Sequence, residues 1–287
     1  TPVVYYSLVD ANTGEHLVNS QQFGAALSSY RIVTAASSIY VLYTDNGGTN
    51  IQYRRLDTTN VDLRNPFSGP SFLNDTGGSP INDVDADYKF LDTHEVSTSE
   101  IVMSYAKRAP QAADGFIRTI RFQTNGAILT PLAALDVVRT TLGHELRCLS
   151  VYRDAVDGNI AVAWVQQKGV APAFAEYVQL VVWDALLTSG APGPWPVYGG
   201  LVAAGYEGVT INLEENLLPS AAASCRHVSV GPGQSDTFYS VVWDTSLEVD
   251  DPLDAGYGTW DAPYLACESK VVTRQCLRFF KTTQADY

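Results

Sequence analysis

Residues 159–165 read Asn159-Ile-Ala-Val-Ala-Trp-Val165, and after a polar, Gly/Pro-bearing connection Tyr177-Val-Gln-Leu-Val-Val-Trp183 follows. Both stretches are short and apolar, rich in β-branched and aromatic residues. Neither shows the three-to-four spacing of an amphipathic helix, so they read as two strands of one hairpin. The pairing recurs in both directions along the chain. Ser38-Ile-Tyr-Val-Leu-Tyr-Thr44 precedes Ile51-Gln-Tyr-Arg-Arg-Leu56. Glu100-Ile-Val-Met-Ser-Tyr105 precedes Phe116-Ile-Arg-Thr-Ile-Arg-Phe122. Thr237-Phe-Tyr-Ser-Val-Val-Trp243 precedes a stretch from Val271 to Phe280.

Each pair sits in a longer unit. A short strand comes first: Tyr30 to Thr34, Tyr88 to Leu91, Leu146 to Tyr152 and Arg226 to Val230. A turn and a weaker strand come last, the turns being Asp57-Thr-Thr-Asn60, Gln123-Thr-Asn-Gly126 and Asp184 to Gly190. An aromatic residue closes the strand before the second pairing partner in every unit: Tyr43, Tyr105, Trp164 and Trp243, at spacings of 62, 59 and 79. The N-terminus, Val3 to Asp10 followed by Ala11-Asn-Thr-Gly14 and Glu15 to Val18, matches the second half of one further unit.

Four antiparallel strands repeated along a chain, with room for insertions, are the sequence pattern of a β-propeller. A sandwich would also give short strands, but it does not call for one aromatic at one place in each unit. In a propeller, blades pack face to face, and that aromatic fills the gap between them. The unit resembles the degenerate propeller repeat of extracellular and virion-associated proteins, in which V-x-x-W precedes a strand ending F-D-x-x-G. The matching residues are Val162-Ala-Trp164 with Leu180-Val-Val-Trp-Asp184, Val241-Val-Trp243, and Tyr6-Ser-Leu-Val-Asp10 to Gly14. Tyr replaces Trp in two repeats.

The expectation is an all-β chain forming a single propeller domain over residues 1–287. It would have about five four-stranded blades (range four to seven), its ring closed by the chain ends. A half-blade occupies 1–24, and blades cover approximately 25–70, 71–131, 132–200 and 201–287. Inserted loops fall at 62–82, 190–220 and 245–263, each rich in Gly and Pro. Loops of that length in a compact domain are usually functional or contact a partner.

Charge narrows the function classes. The chain has 287 residues, 31 acidic and 18 basic, for a net charge of −13. Asp outnumbers Glu 21 to 10, and only 5 of the basic residues are Lys. Asp favours turns, so the balance suits a loop-decorated β framework. A nucleic-acid partner is not expected, because phosphate neutralisation needs a basic face. Membrane insertion is not expected either, since no apolar run approaches the roughly 18 residues of a helical span. The chain starts at Thr1, shows no signal peptide and contains one Met, which reads as a processed or partial polypeptide. Its four cysteines form no C-x-x-C pair, so a zinc ribbon is not expected. Cys267 and Cys276 could be bridged only if a hairpin joins them.

Catalytic motifs are missing. His94-Glu95 and His144-Glu145 lack the second His of a metalloprotease helix and read as polar surface or loop pairs. There is no nucleophile elbow and no phosphate loop. Asp87, Glu100 and Asp157 stand at strand starts where a propeller hydrolase would place an axial acid, although turn capping explains them equally well. Asp254-Ala-Gly-Tyr-Gly-Thr-Trp260 misses the sialidase box by one position.

Two features point to binding. Asp83, Asp85 and Asp87 alternate, so an extended backbone would place all three carboxylates on one face, an arrangement that would take Ca²⁺. A solvated acidic loop is the plainer reading, and no cofactor is otherwise expected. Trp195 and Tyr198 sit in one Gly/Pro-rich loop, and Tyr257, Trp260 and Asp261 in another. Such aromatics are folded back as plugs, meet a protein partner, or stack on a sugar. These residues lead to the expectation of a non-enzymatic structural or interaction module outside a cell or on a virion, such as a phage tail or capsid surface. Its partners would be other subunits of a larger assembly, or a host glycan or surface receptor. The low-Lys composition matches that of high-GC and phage genomes. The competing expectation is a lectin or glycoside hydrolase of propeller form.

Overall fold

The computed structural model describes residues 4–24, 27–45, 48–85, 91–107, 114–140, 144–155, 158–168, 175–188, 196–197, 200–201, 211–215, 223–232, 238–248 and 271–281. Every regular element among them is a strand. None of the described residues forms a helix long and apolar enough to cross a membrane. The chain divides into two compact units, Thr1–Arg139 with Leu186–Thr188, and Thr140–Ala185 with Ser189–Tyr287.

The first unit opens with a hairpin, β1 (Val4–Val9) and β2 (His16–Gly24). Strands β3 (Leu27–Ala35), β4 (Ser38–Asp45), β5 (Ile51–Asp57) and β6 (Ser71–Phe72) then form one antiparallel sheet in chain order. Strands β7 (Leu91–Ser97), β8 (Glu100–Lys107), β9 (Asp114–Thr124) and β10 (Leu129–Thr140) form the next.

Alternation along β4 explains how the layers stack. Tyr40 and Leu42 point to one face, where they join Ile101, Met103 and Tyr105 of β8 and Phe122 of β9 in a core between the two sheets. Val41 and Tyr43 point to the other, where they meet Phe23, Leu56 and Phe67, with Tyr6 and Leu8 of the hairpin packed against them. Phe23 holds that second core together. Its ring lies 5.2 Å from Phe67 and 5.8 Å from Tyr43, both edge-on, with Arg54 5.0 Å above its centroid. Edge-on geometry suits the aromatic quadrupole. Two expected marker aromatics therefore behave alike: Tyr43 packs on the hairpin before its sheet, and Tyr105 on the sheet before its own.

In the second unit, β11 (His144–Arg153), β12 (Ile160–Lys168) and β13 (Ala175–Trp183) form a meander. A two-residue pair follows, β14 (Pro196–Val197) with β15 (Gly200–Leu201). The meander's fourth strand is β16 (Ile211–Glu215), paired with β13. Strands β17 (Ala223–Pro232), β18 (Phe238–Glu248) and β19 (Val271–Lys281) form a three-stranded sheet. A hydrogen bond of 3.3 Å from the Val230 N–H to the Ser150 hydroxyl ties β17 to β11. Trp164 is fully buried.

The ladders of the four sheets share some features. The marker aromatics stand opposite Tyr30, Leu91, Leu149 and Val228 of the first strand in each sheet. Just before that partner, β3, β11 and β17 each carry one extra residue: Ser28, Arg147, and one residue between Cys225 and Val228. A bulge thus falls at a comparable ladder position in three of the sheets.

Of the strand expected over Tyr88 to Leu91, residues 88–90 lie outside the described residues, and Leu91 opens β7, where Leu91 and Val96 are buried. β16, which pairs with β13 as the fourth strand of that sheet, lies after residue 200, in the stretch expected to hold the next blade. Residues 62–82 are not a free loop. They supply β6, and Leu73 and Ile81 are buried because their backbones lace to Ile51: Leu73 N–H to Ile51 O at 2.9 Å, and Ile51 N–H to Ile81 O at 3.2 Å.

Candidate functional site

The expected acidic site is built from an extended segment and three strands. Asp83 accepts a 2.8 Å hydrogen bond from the Tyr105 hydroxyl, with Lys107 Nζ at 3.7 Å and Arg118 Nη1 at 3.9 Å. Asp136, on β10, anchors the group. Arg118 binds it through two hydrogen bonds, 2.6 and 2.8 Å, and Lys107 adds a third at 3.0 Å. Burial works against the ionised form of Asp136, but these hydrogen bonds win and hold its carboxyl below the usual range. Burial, then the facing Asp83 charge, pushes the Tyr105 phenol far above its ordinary value. Lys107 also lies 5.7 Å over the Phe116 ring.

The charge of Asp83 is thus met by protein cations. Asp85 is buried, with its N–H bound to the Ala106 carbonyl at 3.0 Å, and Asp87 lies outside the described residues. No group of three or more His, Cys, Asp or Glu side chains is placed to hold a metal ion among the described residues. Trp195, Tyr198, Tyr257, Trp260 and Asp261 lie outside the described residues, as do Asp157 and Cys267. Pro196 and Val197, between Trp195 and Tyr198, belong to β14.

Glu100 is tied to Arg121 at 2.6 Å across β8 and β9. Glu95 accepts a hydrogen bond from Thr34 at 2.8 Å, and Asp92 one from Arg31 at 2.8 Å. His94-Glu95 and His144-Glu145 lie on strands β7 and β11, with Glu95 at the surface. Acids of this kind fasten strand to strand.

A cleft of about 520 Å³ opens in the first unit, where β6 and the turn after it face the start of β10. Phe72, 53% exposed, and Ile128, 57% exposed, form apolar walls. Tyr53, almost wholly buried, lies at its inner side. Asn74, Asp75 and Thr130 supply the polar lining. Asp75 is held by its own turn: Oδ1 accepts the Gly77 N–H at 2.9 Å and the Ser79 N–H at 3.1 Å. A smaller cleft of about 330 Å³ lies by Thr34, Ser38, Thr58 and Glu95.

The larger cleft joins residues far apart in sequence, which hid it from sequence reading. One signal was available: Phe72 follows Gly69-Pro70, the same aromatic-in-Gly/Pro-loop context that singled out Trp195 and Trp260.

No protein-family model matches the chain, and no curated protein matches it. Among solved structures, a post-proline cleaving enzyme from Rickettsia typhi aligns over 87% of this chain and 58% of that one, at 7% identity and a TM-score of 0.17. The chain thus spans less than two thirds of that enzyme, and a likeness this slight carries no argument.

Proposed function

We propose that the chain is a non-enzymatic interaction module built as a β-propeller of about five four-stranded blades, its ring closed by the chain ends. The repeated ladder position of the marker aromatic, with the same bulge beside it in three sheets, supports the propeller reading. The hairpin supports closure. Val4, Tyr6 and Leu8 pack on the first sheet, while Tyr5, 59% exposed, and Val9, 50% exposed, alternate with them on the other face. A further blade against that face would cover both.

The observation that carries the functional reading is how the acids are used. Asp83, Asp92, Glu95, Glu100 and Asp136 each bind a cation or hydroxyl of a neighbouring strand. A glycosidase needs two carboxylates left to face substrate across roughly 5–10 Å. The module would act on a virion surface or cell exterior, joining other subunits or a receptor through the loops bearing Trp195, Tyr198, Tyr257, Trp260 and Asp261.

Sedimentation of the full chain tests this. Trp195→Ala with Trp260→Ala should abolish self-assembly or receptor binding while the melting temperature holds. Retained assembly and retained receptor binding would overturn the loop-contact reading. Hydrolysis of a chromogenic glycoside panel would overturn the non-enzymatic one. A lectin is the second reading, favoured by the cleft at Phe72.

A further inference from the structure

We propose that the cleft walled by Phe72, Ile128, Asp75 and Thr130 binds a neutral saccharide of one or two pyranose rings. This rests on reading the chain as a binding module and names a ligand class for a place on it. All the lining residues belong to the first unit.

Size sets the first limit. A cleft of about 520 Å³ is in the range of small-molecule sites. Its walls set the second. Phe72 leaves more than half its surface in water, on a strand of only two residues. An exposed aromatic ring gains by covering its face, and the C–H face of a pyranose is flat and apolar enough to do so. Ile128 gives an apolar surface for the rest of the ring.

Hydroxyls need paired acceptors and donors at the rim. Asp75 is prepared as an acceptor: its Oδ1 is fixed by two backbone N–H groups, which holds the carboxylate in place and leaves Oδ2 for a ligand hydroxyl. Asn74 and Thr130 line the same cleft and bring both donors and acceptors. A carboxylate already ordered loses little entropy on binding.

Charge selects among ligands. Among the described residues, no Lys, Arg or His lines the cleft, while Asp75 does. Sialylated, sulfated or phosphorylated ligands would meet that carboxylate without compensation.

The test uses the full chain. Saturation-transfer NMR against glucose, galactose, mannose, N-acetylglucosamine and their β-1,4-linked disaccharides identifies binders, and titration calorimetry measures affinity. At least one neutral sugar should bind. Phe72→Ala should weaken it about tenfold or more, and Thr130→Val should weaken it too. The distant aromatic variant Tyr30→Ala should leave it unchanged, with melting temperatures checked for all. Absence of binding across the panel, binding that survives Phe72→Ala, or binding restricted to sialyllactose or a sulfated sugar would each overturn the proposal. Sedimentation in the same samples separates the two ideas, since assembly without sugar binding defeats this inference and leaves the module reading standing.

Discussion

Gly126 shows how a single position joins two sheets. Its φ is +87°, and a Cβ there would lie 2.9 Å from the Ala36 carbonyl oxygen. The close approach is used: Ser38 donates to the Gly126 carbonyl at 3.0 Å, and Tyr40 shares a buried 2.5 Å hydrogen bond with Thr124. Gly126→Ala should therefore cost about 2 kcal/mol or more, from left-handed backbone strain plus the clash with backbone. Urea unfolding of the variant checks this, and an unchanged midpoint would refute it. Asp136 makes a second residue-scale prediction. Its carboxyl is held below the unfolded value of about 3.9, so its contribution to stability is full above that pH. The contribution falls away as pH drops through the lower folded value. Asp136→Asn should thus flatten the loss of stability below about pH 4, measured as melting temperature against pH.

At the scale of elements, the hairpin of β1 and β2 acts as a lid over one face of the first sheet. Phe23 is its anchor, 3% exposed and edge-on to Tyr43 and Phe67. Phe23→Ala should cost about 3–5 kcal/mol by opening a cavity there, read in thermal or urea melts. The strands most legible in the sequence were those with dense apolar runs. β4, β8, β12 and β18 lie within a few residues of the stretches first read as strands. Alternation and turn residues are local signals, and they suffice where burial is continuous. β6 was not legible, because two residues carry no period. Nor was the burial of Leu73 and Ile81, whose anchoring comes from backbone bonds to Ile51 across the sheet. The acids behaved likewise. Alternation of Asp83 and Asp85 was visible, but the cations that meet Asp83 come from β8 and β9. The cleft needs residues 53, 71–78 and 128–131 together, and no local pattern joins them.

At the scale of the whole molecule, the acids behind the net charge of −13 are distributed along the sequence rather than gathered into a terminal run. Asp10, Asp57 and Asp75 each accept backbone N–H bonds in turns, so part of the acidity stabilises local geometry. An excess of one sign keeps copies apart in solution, and contacts that join them must outweigh it. The bulges of β3, β11 and β17 bear on how such a chain can evolve. The strands before them end at Gly24, Thr140 and Glu215, so the spacings to Leu27, His144 and Ala223 already differ. A strand with a fixed register would invert its inward and outward side chains if one residue were gained. A bulge gives that residue somewhere to go, ahead of the paired segment that carries the core. Small insertions and deletions upstream can then accumulate across generations while the packed half of each sheet is inherited intact.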